Sequence, residues 1–380
     1  MIERDRFGLG WRPEYAASIL ARFDRIDLVE VLIEPALRLD RRGRDALRTL
    51  ARTIPLHLHG TGLGLASTEA VEPRRLAAAA RLVDDLEPDG WSEHLAFVRA
   101  GGREIGHLAG PPRTHAILDG LARNVASARR AAGVAPALEN VASLVEPPGA
   151  EFDEAEGLSV VPAAAETDLL LDLHNLHANA TNFAFDPCVV LDALPWSRIG
   201  RIHLAGGSWI ESADGRRLLD DHRHEVPDAV LTLLEESAVR AVRPIAVVLE
   251  QDGDFPAFER LLARLDDARA AAARGRSRPS ARTGVSGMPT VSATGISVAS
   301  RGPDAVSSSE NASSRAPDSP QLVGLASLYL DADVRARFLA DPAREGARLG
   351  LGPGPFDLVG IAFAARSFAS KRAALRPHRP

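Results

Sequence analysis

The stretch Leu169-Leu170-Leu171-Asp172-Leu173-His174-Asn175-Leu176-His177 restricts the fold more than any other part of the chain. Its continuous apolar run suits a strand buried on both faces, as in the sheet of an α/β protein. The run ends in an acid, imidazoles and an amide, and polar groups buried without partners are costly. A metal ion is one such partner. Apolar β-type runs recur at residues 7–11, 27–34, 55–60, 90–97, 136–143, 168–175, 199–205 and 245–252, and most of them end in polar groups.

Helical stretches rich in Ala, Leu and Arg lie between several of these runs, as at 73–86 and 115–132, where Gly133 is placed as a helix stop. Strand and helix alternating in this way over residues 1–270 predict a (β/α)8 TIM barrel, a fold of about 250 residues. A doubly wound open sheet competes, but no Gly-x-Gly-x-x-Gly opens a helix to support it. Residues 268–274 are only Ala and Arg and suit the end of the last helix, whereas 277–320 are rich in Ser, Gly, Thr and Pro with few large apolar side chains, which predicts a disordered linker, placed at 271–320. Apolar periodicity returns with Leu322, Leu325, Leu328, Tyr329, Val334, Phe338 and Leu339, then Phe356, Phe363 and Phe368. A helical module over 321–375 follows. It is too small for strong independent stability, so docking on the barrel, a peptide or a partner is expected.

A net charge of −6 gives no electrostatic reason to expect nucleic acid as a partner. The single cysteine, Cys188, rules out an intrachain disulfide or a zinc-thiolate cluster, and it is expected to pack in the core. The N-terminus carries no apolar segment after a basic start, and no run approaches the ~18 apolar residues of a membrane span. A cytoplasmic protein with no membrane partner is expected.

Catalytic groups of β/α barrels collect at the C-terminal ends of the strands. The predicted strand ends carry His57 and His59, Glu93 and His94, Glu139 and Asn140, Asp172, His174 and Asn175, His203, and Glu250 through Asp252. Asp220, Asp221, His222 and His224 lie between the last two runs. Only His107, His115 and His378 fall away from these segments and His177, and they are expected at the surface. A set of imidazole nitrogens and carboxylate oxygens without thiolate suits iron, manganese, zinc or nickel. The candidate ligands are His59, His94, Glu139, Asp172, His203, Asp220, His222 and Glu250. Four carboxylates with four imidazoles exceed what one ion uses, so two or more ions sharing carboxylates are expected. Asn140, Asn175 and His174 are placed to orient or supplement these ligands. Arg12 either binds a peptide carboxylate or pairs with Glu30 or Glu34.

Nine strings appear together in one order: Gly8-Leu9-Gly10-Trp11-Arg12, Val29-Glu30-Val31, His59-Gly60-Thr61-Gly62-Leu63-Gly64-Leu65, Ser92-Glu93-His94-Leu95, Leu138-Glu139-Asn140-Val141, Leu171-Asp172-Leu173-His174-Asn175, Ile202-His203-Leu204-Ala205-Gly206, Asp220-Asp221-His222 and Glu250-Gln251-Asp252. On these the chain resembles the DUF692 family, the multinuclear non-haem iron-dependent oxidases (MNIO) that modify ribosomally made peptides. The resemblance covers roughly residues 7–265. It implies a barrel holding two or three irons in mixed Fe(II)/Fe(III) form on the same eight ligands. It also implies dioxygen as co-substrate, a cysteine of a ribosomal precursor peptide as target, and often a separate peptide-presenting partner protein. The chain departs from the family at Asn182-Phe183-Ala184, commonly Asn-His-Gly, while His174 and His177 replace a frequent Asn and Tyr. Gln251 stands where an aromatic residue is common.

The residues alone leave two rivals open. A divalent-metal barrel isomerase or phosphodiesterase also gathers His, Glu and Asp at strand ends and needs only Lewis acidity. A non-enzymatic, metal-bearing barrel that recruits peptides through its C-terminal module would keep the ligands without consuming oxygen.

Overall fold

The computed structural model describes residues 4–212, 215–279, 319–352, 356–358, 360, 361 and 364–366. Its strands in chain order are β1 (Arg6–Gly10), β2 (Leu28–Leu32), β3 (Leu56–Gly60), β4 (Gly90–His94), β5 (Phe97–Ala100), β6 (Arg103–Ala109), β7 (Ala137–Glu139), β8 (Leu169–Asp172), β9 (Ile199–Leu204), β10 (Gly207–Ser212), β11 (Gly215–Asp220) and β12 (Ala246–Leu249). All but β5, β6, β10 and β11 form a closed parallel barrel in the order β1-β12-β9-β8-β7-β4-β3-β2. The expected TIM barrel is therefore present.

The helices between strands bury one face each. Pro73–Leu86 opens with Pro in its first turn, and His115–Ala132 is capped by the Thr114 hydroxyl and stopped by Gly133 at φ 77°. The last barrel helix, Phe258–Ser277, runs past the expected linker boundary, so the chain from 271 to 277 is helical. The rest of the expected linker, 280–318, lies outside the described residues, as do Phe363, Phe368 and His378.

Two antiparallel hairpins, β5–β6 and β10–β11, were absent from the sequence reading. Each follows a barrel strand that ends in site residues; the expected run 90–97 reaches the first residue of β5, whereas the expected run 199–205 stops short of β10. Another boundary moves the other way. Leu173–Phe183 is helix, so His174 and Asn175 sit in a first helical turn and not on β8. Cys188 lies half-buried in the short helix Pro187–Ala193, outside the buried core where it was expected.

Leu9, Val29, Val31, Leu58 and Leu138 belong to one large apolar core with the helices around the strands. Leu28, Ala246 and Val248 form a separate small cluster. Period-two alternation puts Leu28 on the face of Glu30, and Ala246 and Val248 on the face of Glu250. Buried Glu30, His57, His59, Ser92 and His203 fill much of the remaining interior. Branched apolar side chains usually fill such a barrel; here the interior is polar and must find partners. No helix among the described residues is long and apolar enough to cross a membrane.

C-terminal helices Pro320–Leu330, Ala332–Ala340 and Pro342–Arg348 follow. Leu322, Leu325, Leu328, Phe338 and Leu351 share the core of the barrel.

Candidate metal centre

Parallel pairing brings the strand ends together. Neighbouring strands lie about 4.8 Å apart, and the register sets His59 beside Ser92, His94 beside Glu139, and Asp172 beside His203. Side chains at paired positions point to the same face, so donors distant in sequence meet over one end of the barrel.

Glu139 is the hub. Its Oε2 lies 3.1 Å from His59 Nε2 and 3.4 Å from His94 Nε2, while Oε1 lies 3.3 Å from His203 Nδ1. His203 Nδ1 is also 3.2 Å from Glu250 Oε2, which is 3.6 Å from His222 Nδ1. His222 Nε2 is 3.0 Å from Asp220 Oδ2. Two overlapping donor groups result: His59, Glu139 and His203; and Glu139, Asp172, His203 and Glu250, with the donor atoms of each within 4.8 Å of one another. His94, Asp220 and His222 stand at the edges, outside both groups.

The unused nitrogens are held from behind. His59 Nδ1 is 2.8 Å from Ser92 Oγ, His94 Nδ1 is 2.9 Å from the Gly60 carbonyl, and His203 Nε2 is 3.0 Å from Glu30 Oε2. Each contact fixes a ring so that its other nitrogen faces the carboxylates, the arrangement that orients metal-binding imidazoles. Asp172 is fixed through its backbone: its N–H donates to Asn140 Oδ1 at 2.8 Å, and Asn140 Nδ2 donates to its carbonyl at 3.0 Å. Asn175 donates its backbone N–H to Asp172 Oδ1 and its amide to the Asn140 carbonyl. Both asparagines thus position Asp172. His174 Nδ1 lies 3.0 Å from Asp220 Oδ1, backing that carboxylate. His177 is farther off, its ring centroid 6.3 Å from that of His174.

Six of the donor atoms lack hydrogen bonds. Glu139 Oε2, Asp172 Oδ2, His203 Nδ1, both His222 nitrogens and Glu250 Oε2 are all buried without one. Native interiors leave few such atoms, and so many in one place fit a cation between them. The hard-to-intermediate O and N set also fits iron.

Charge distribution among the donors supports the same reading. Burial lowers His59, but Glu139 and Glu30 outweigh it and hold its pKa up at about 9. Burial likewise opposes charging of His203 and His222, yet facing carboxylates carry both well above the usual range. Asp172 is pushed well up by burial and by Glu139 and Asp220. Without metal, imidazolium charge is what balances the carboxylates.

Some residues were missed or misplaced by sequence. Glu30 had no role beyond pairing with Arg12, although a lone acid inside the apolar strand Leu28–Leu32 was a signal. Arg12 pairs with neither Glu30 nor Glu34: its Nε donates to Asp252 Oδ1 at 2.7 Å. Asp252 in turn lies 3.4 Å from His222 Nδ1. His107, expected at the surface, lines the cleft above the donors. Asp221 accepts from Ser208 Oγ and pairs with His224.

His59, His94, Asp220, His222 and Glu250 floor a cleft of about 220 Å³ whose walls come from β6, the 141–145 loop, β11 and the C-terminal segment. A family model described as "RiPP precursor modification enzyme MbnB/TglH/ChrH" matches residues 6–273. The chain belongs to this family. Members of this RiPP-modifying family include proteins of the DUF692 type, as the sequence strings implied. A UPF0276 protein of Streptomyces avermitilis is 34% identical over 386 residues, covering 96% of this chain and 77% of that protein. A UPF0276 protein of an Anaeromyxobacter species is 37% identical over 255 residues, covering 67% and 88%. Among solved structures, an L-ribulose 3-epimerase aligns with TM-score 0.45 and 14% identity, covering 72% of this chain and 100% of that one. Endonuclease IV from Thermus thermophilus aligns with TM-score 0.43 and 17% identity, covering 70% and 98%.

Proposed function

We propose that this RiPP-modifying family member is an iron- and dioxygen-dependent oxidase that modifies a cysteine of a ribosomally synthesised precursor peptide. The observation that carries the reading is the crowding of Glu139, Asp172, His203 and Glu250 around one point with their inward atoms unsatisfied. His59, His94, Glu139, Asp172, His203, Asp220, His222 and Glu250 would hold the ions. Glu139 and His203 belong to both donor groups, and Glu139 offers its two oxygens to different imidazoles.

Iron in mixed ferrous and ferric states, once bound, supplies one-electron redox chemistry with dioxygen as oxidant. The chain's own residues do the rest. Ser92, Gly60 and Glu30 hold three imidazoles in one ring orientation, which keeps Nε2 of His59, Nε2 of His94 and Nδ1 of His203 available. Asn140 and Asn175 hold Asp172, leaving Oδ2 facing inward. Burial of the floor excludes water, so charge on a substrate thiolate would be felt at short range. The cleft above admits the peptide. A separate presenting protein belongs to the same proposal.

The test is anaerobic purification with metal analysis and Mössbauer spectroscopy, then coexpression with a cysteine-containing peptide encoded beside the gene and mass measurement of that peptide. Iron together with an oxygen-dependent mass change supports the oxidase. Zinc or manganese alone, with an unmodified peptide and no oxygen consumption, overturns it in favour of Lewis-acid chemistry or of a binding protein.

A further inference from the structure

The described part of the segment after residue 318 is not an appendage. Its N-terminal end is tied by the Ser319 N–H donating to Thr68 Oγ1 at 3.1 Å, and its far end by Asp357, which accepts from Arg217 of β11 at 3.1 Å and from the Glu146 N–H at 3.4 Å. Gly360 passes so close to the barrel that a Cβ there would come within 2.2 Å of the Leu144 carbonyl. Leu322, Leu325 and Leu351 are completely buried in the barrel's own core. Tyr329 and Ala364 of this segment line the same cleft as His59, His94, His222 and Glu250. The family match ends at residue 273, whereas the likeness to the Streptomyces protein spans 96% of this chain and so runs past the barrel.

We propose that the C-terminal segment is a fixed wall of the substrate cleft, and that through Tyr329 and Ala364 it selects a cysteine-bearing peptide segment with apolar neighbours. The proposal rests on the thiol-substrate reading above. Two sides of the cleft differ in chemistry. Leu144, Val145, Leu218, Tyr329 and Ala364 present apolar surface, while Asp220, Asp221 and Asp252, each already paired, lie on the side of the donors. A thiolate reaching the donors must therefore carry its flanking side chains along the apolar wall. Apolar flanks gain by burial there, and acidic flanks would give up hydration against the same wall. Because the wall belongs to the same chain and shares its core, ordering it costs no association entropy when the peptide binds.

The experiment uses the full-length, iron-loaded protein under anaerobic conditions, with titration calorimetry and thiolate-to-iron absorption as readouts. Three probes are compared: 2-mercaptoethanol, which is too small to need a wall, N-acetyl-leucyl-cysteinyl-leucinamide, and the same tripeptide with both leucines replaced by aspartate. The wild-type protein is expected to bind the leucine peptide at least tenfold more tightly than the aspartate peptide. Tyr329→Ala should weaken the leucine peptide at least tenfold, with metal content and 2-mercaptoethanol affinity unchanged. Tyr329→Leu keeps that site filled with apolar volume and should retain the preference for leucine flanks, which separates loss of the wall from loss of folding. Equal affinity for the two peptides, or wild-type affinity in Tyr329→Ala, overturns the wall while leaving the thiol reading standing. Failure of 2-mercaptoethanol to perturb the iron overturns that reading and the wall with it.

Discussion

His203 Nε2 lies 3.0 Å from Glu30 Oε2, and this contact turns the opposite ring nitrogen, Nδ1, toward Glu139 and Glu250. The acid sits in the middle of β2, on the inward face, two residues beyond Leu28. A carboxylate behind an imidazole fixes its tautomer and raises its basicity.

Glu30→Ala should therefore weaken metal binding by about 10–100-fold, the usual cost of removing such a backing group. Competition against a chelator of known affinity measures it, and circular dichroism reports whether the barrel persists. Affinity within twofold of wild type would remove Glu30 from the site.

His203→Ala and Asp172→Ala should each lose bound metal while the fold is largely kept. Asp172 has a second duty: its Oδ1 caps the helix Leu173–Phe183 through the Asn175 N–H. Loss of that cap costs about 1 kcal/mol, so the alanine variant should also melt at a lower temperature. Asp172→Asn retains an acceptor for the cap but not the charge, and should recover stability without recovering metal. Full metal occupancy in either alanine variant would count against the ligand assignment.

Metal uptake should be steeply dependent on pH. His59 titrates at about 9 in the metal-free site, and His203 and His222 are raised well above the usual range, so all three carry protons at pH 7. Ligand imidazoles must be neutral, so binding expels protons. His59 alone contributes about a tenfold gain in affinity per pH unit up to about pH 9. Calorimetry in buffers of different ionisation enthalpy would count the protons, and a count of zero would contradict the site.

Without metal the sign reverses. A raised His59 pKa stabilises the folded chain fully below the unfolded value near 6.5, and this is lost as pH rises through about 9. Glu93, lifted to about 8 by burial and by Glu34, acts in the same direction, because the folded state holds a proton that the unfolded state releases. Metal-free protein should thus melt at progressively lower temperature from pH 6.5 to 9. A rising melting temperature over that interval would refute the charge assignment.

Gly207 opens the β10–β11 hairpin where it passes His174 and the β11 backbone. A Cβ there would lie 2.1 Å from the Leu219 carbonyl and 2.5 Å from His174 Cε1. Backbone oxygen cannot yield as a flexible side chain does, so Gly207→Ala should cost about 1–3 kcal/mol by overpacking. The displaced His174 would release Asp220, and metal affinity should fall along with the melting temperature. An unchanged melting temperature would show that the hairpin can shift.

The barrel and most of the candidate donors were legible in the residue pattern alone. Buried strands must be apolar along their length, so a polar cluster at the end of each run stands out, and period two says which residues share a face. That logic reached His59, Glu139, Asp172, His203 and Glu250 without coordinates. It failed where local pattern and tertiary setting part. Residues 168–175 read as one strand on paper, yet the Asp172 cap starts a helix at Leu173, and His174 leaves the strand to back Asp220.

Which nitrogen of each imidazole faces inward is set by the closed barrel, because it depends on Ser92, Gly60 and Glu30, which belong to other strands. Nor could sequence pair Arg12 with Asp252, since β1 and β12 become neighbours only when the barrel closes. The same holds for Tyr329 over the cleft. Periodicity announces that a helix has an apolar face, but the surface receiving that face is set by the shape of everything already packed.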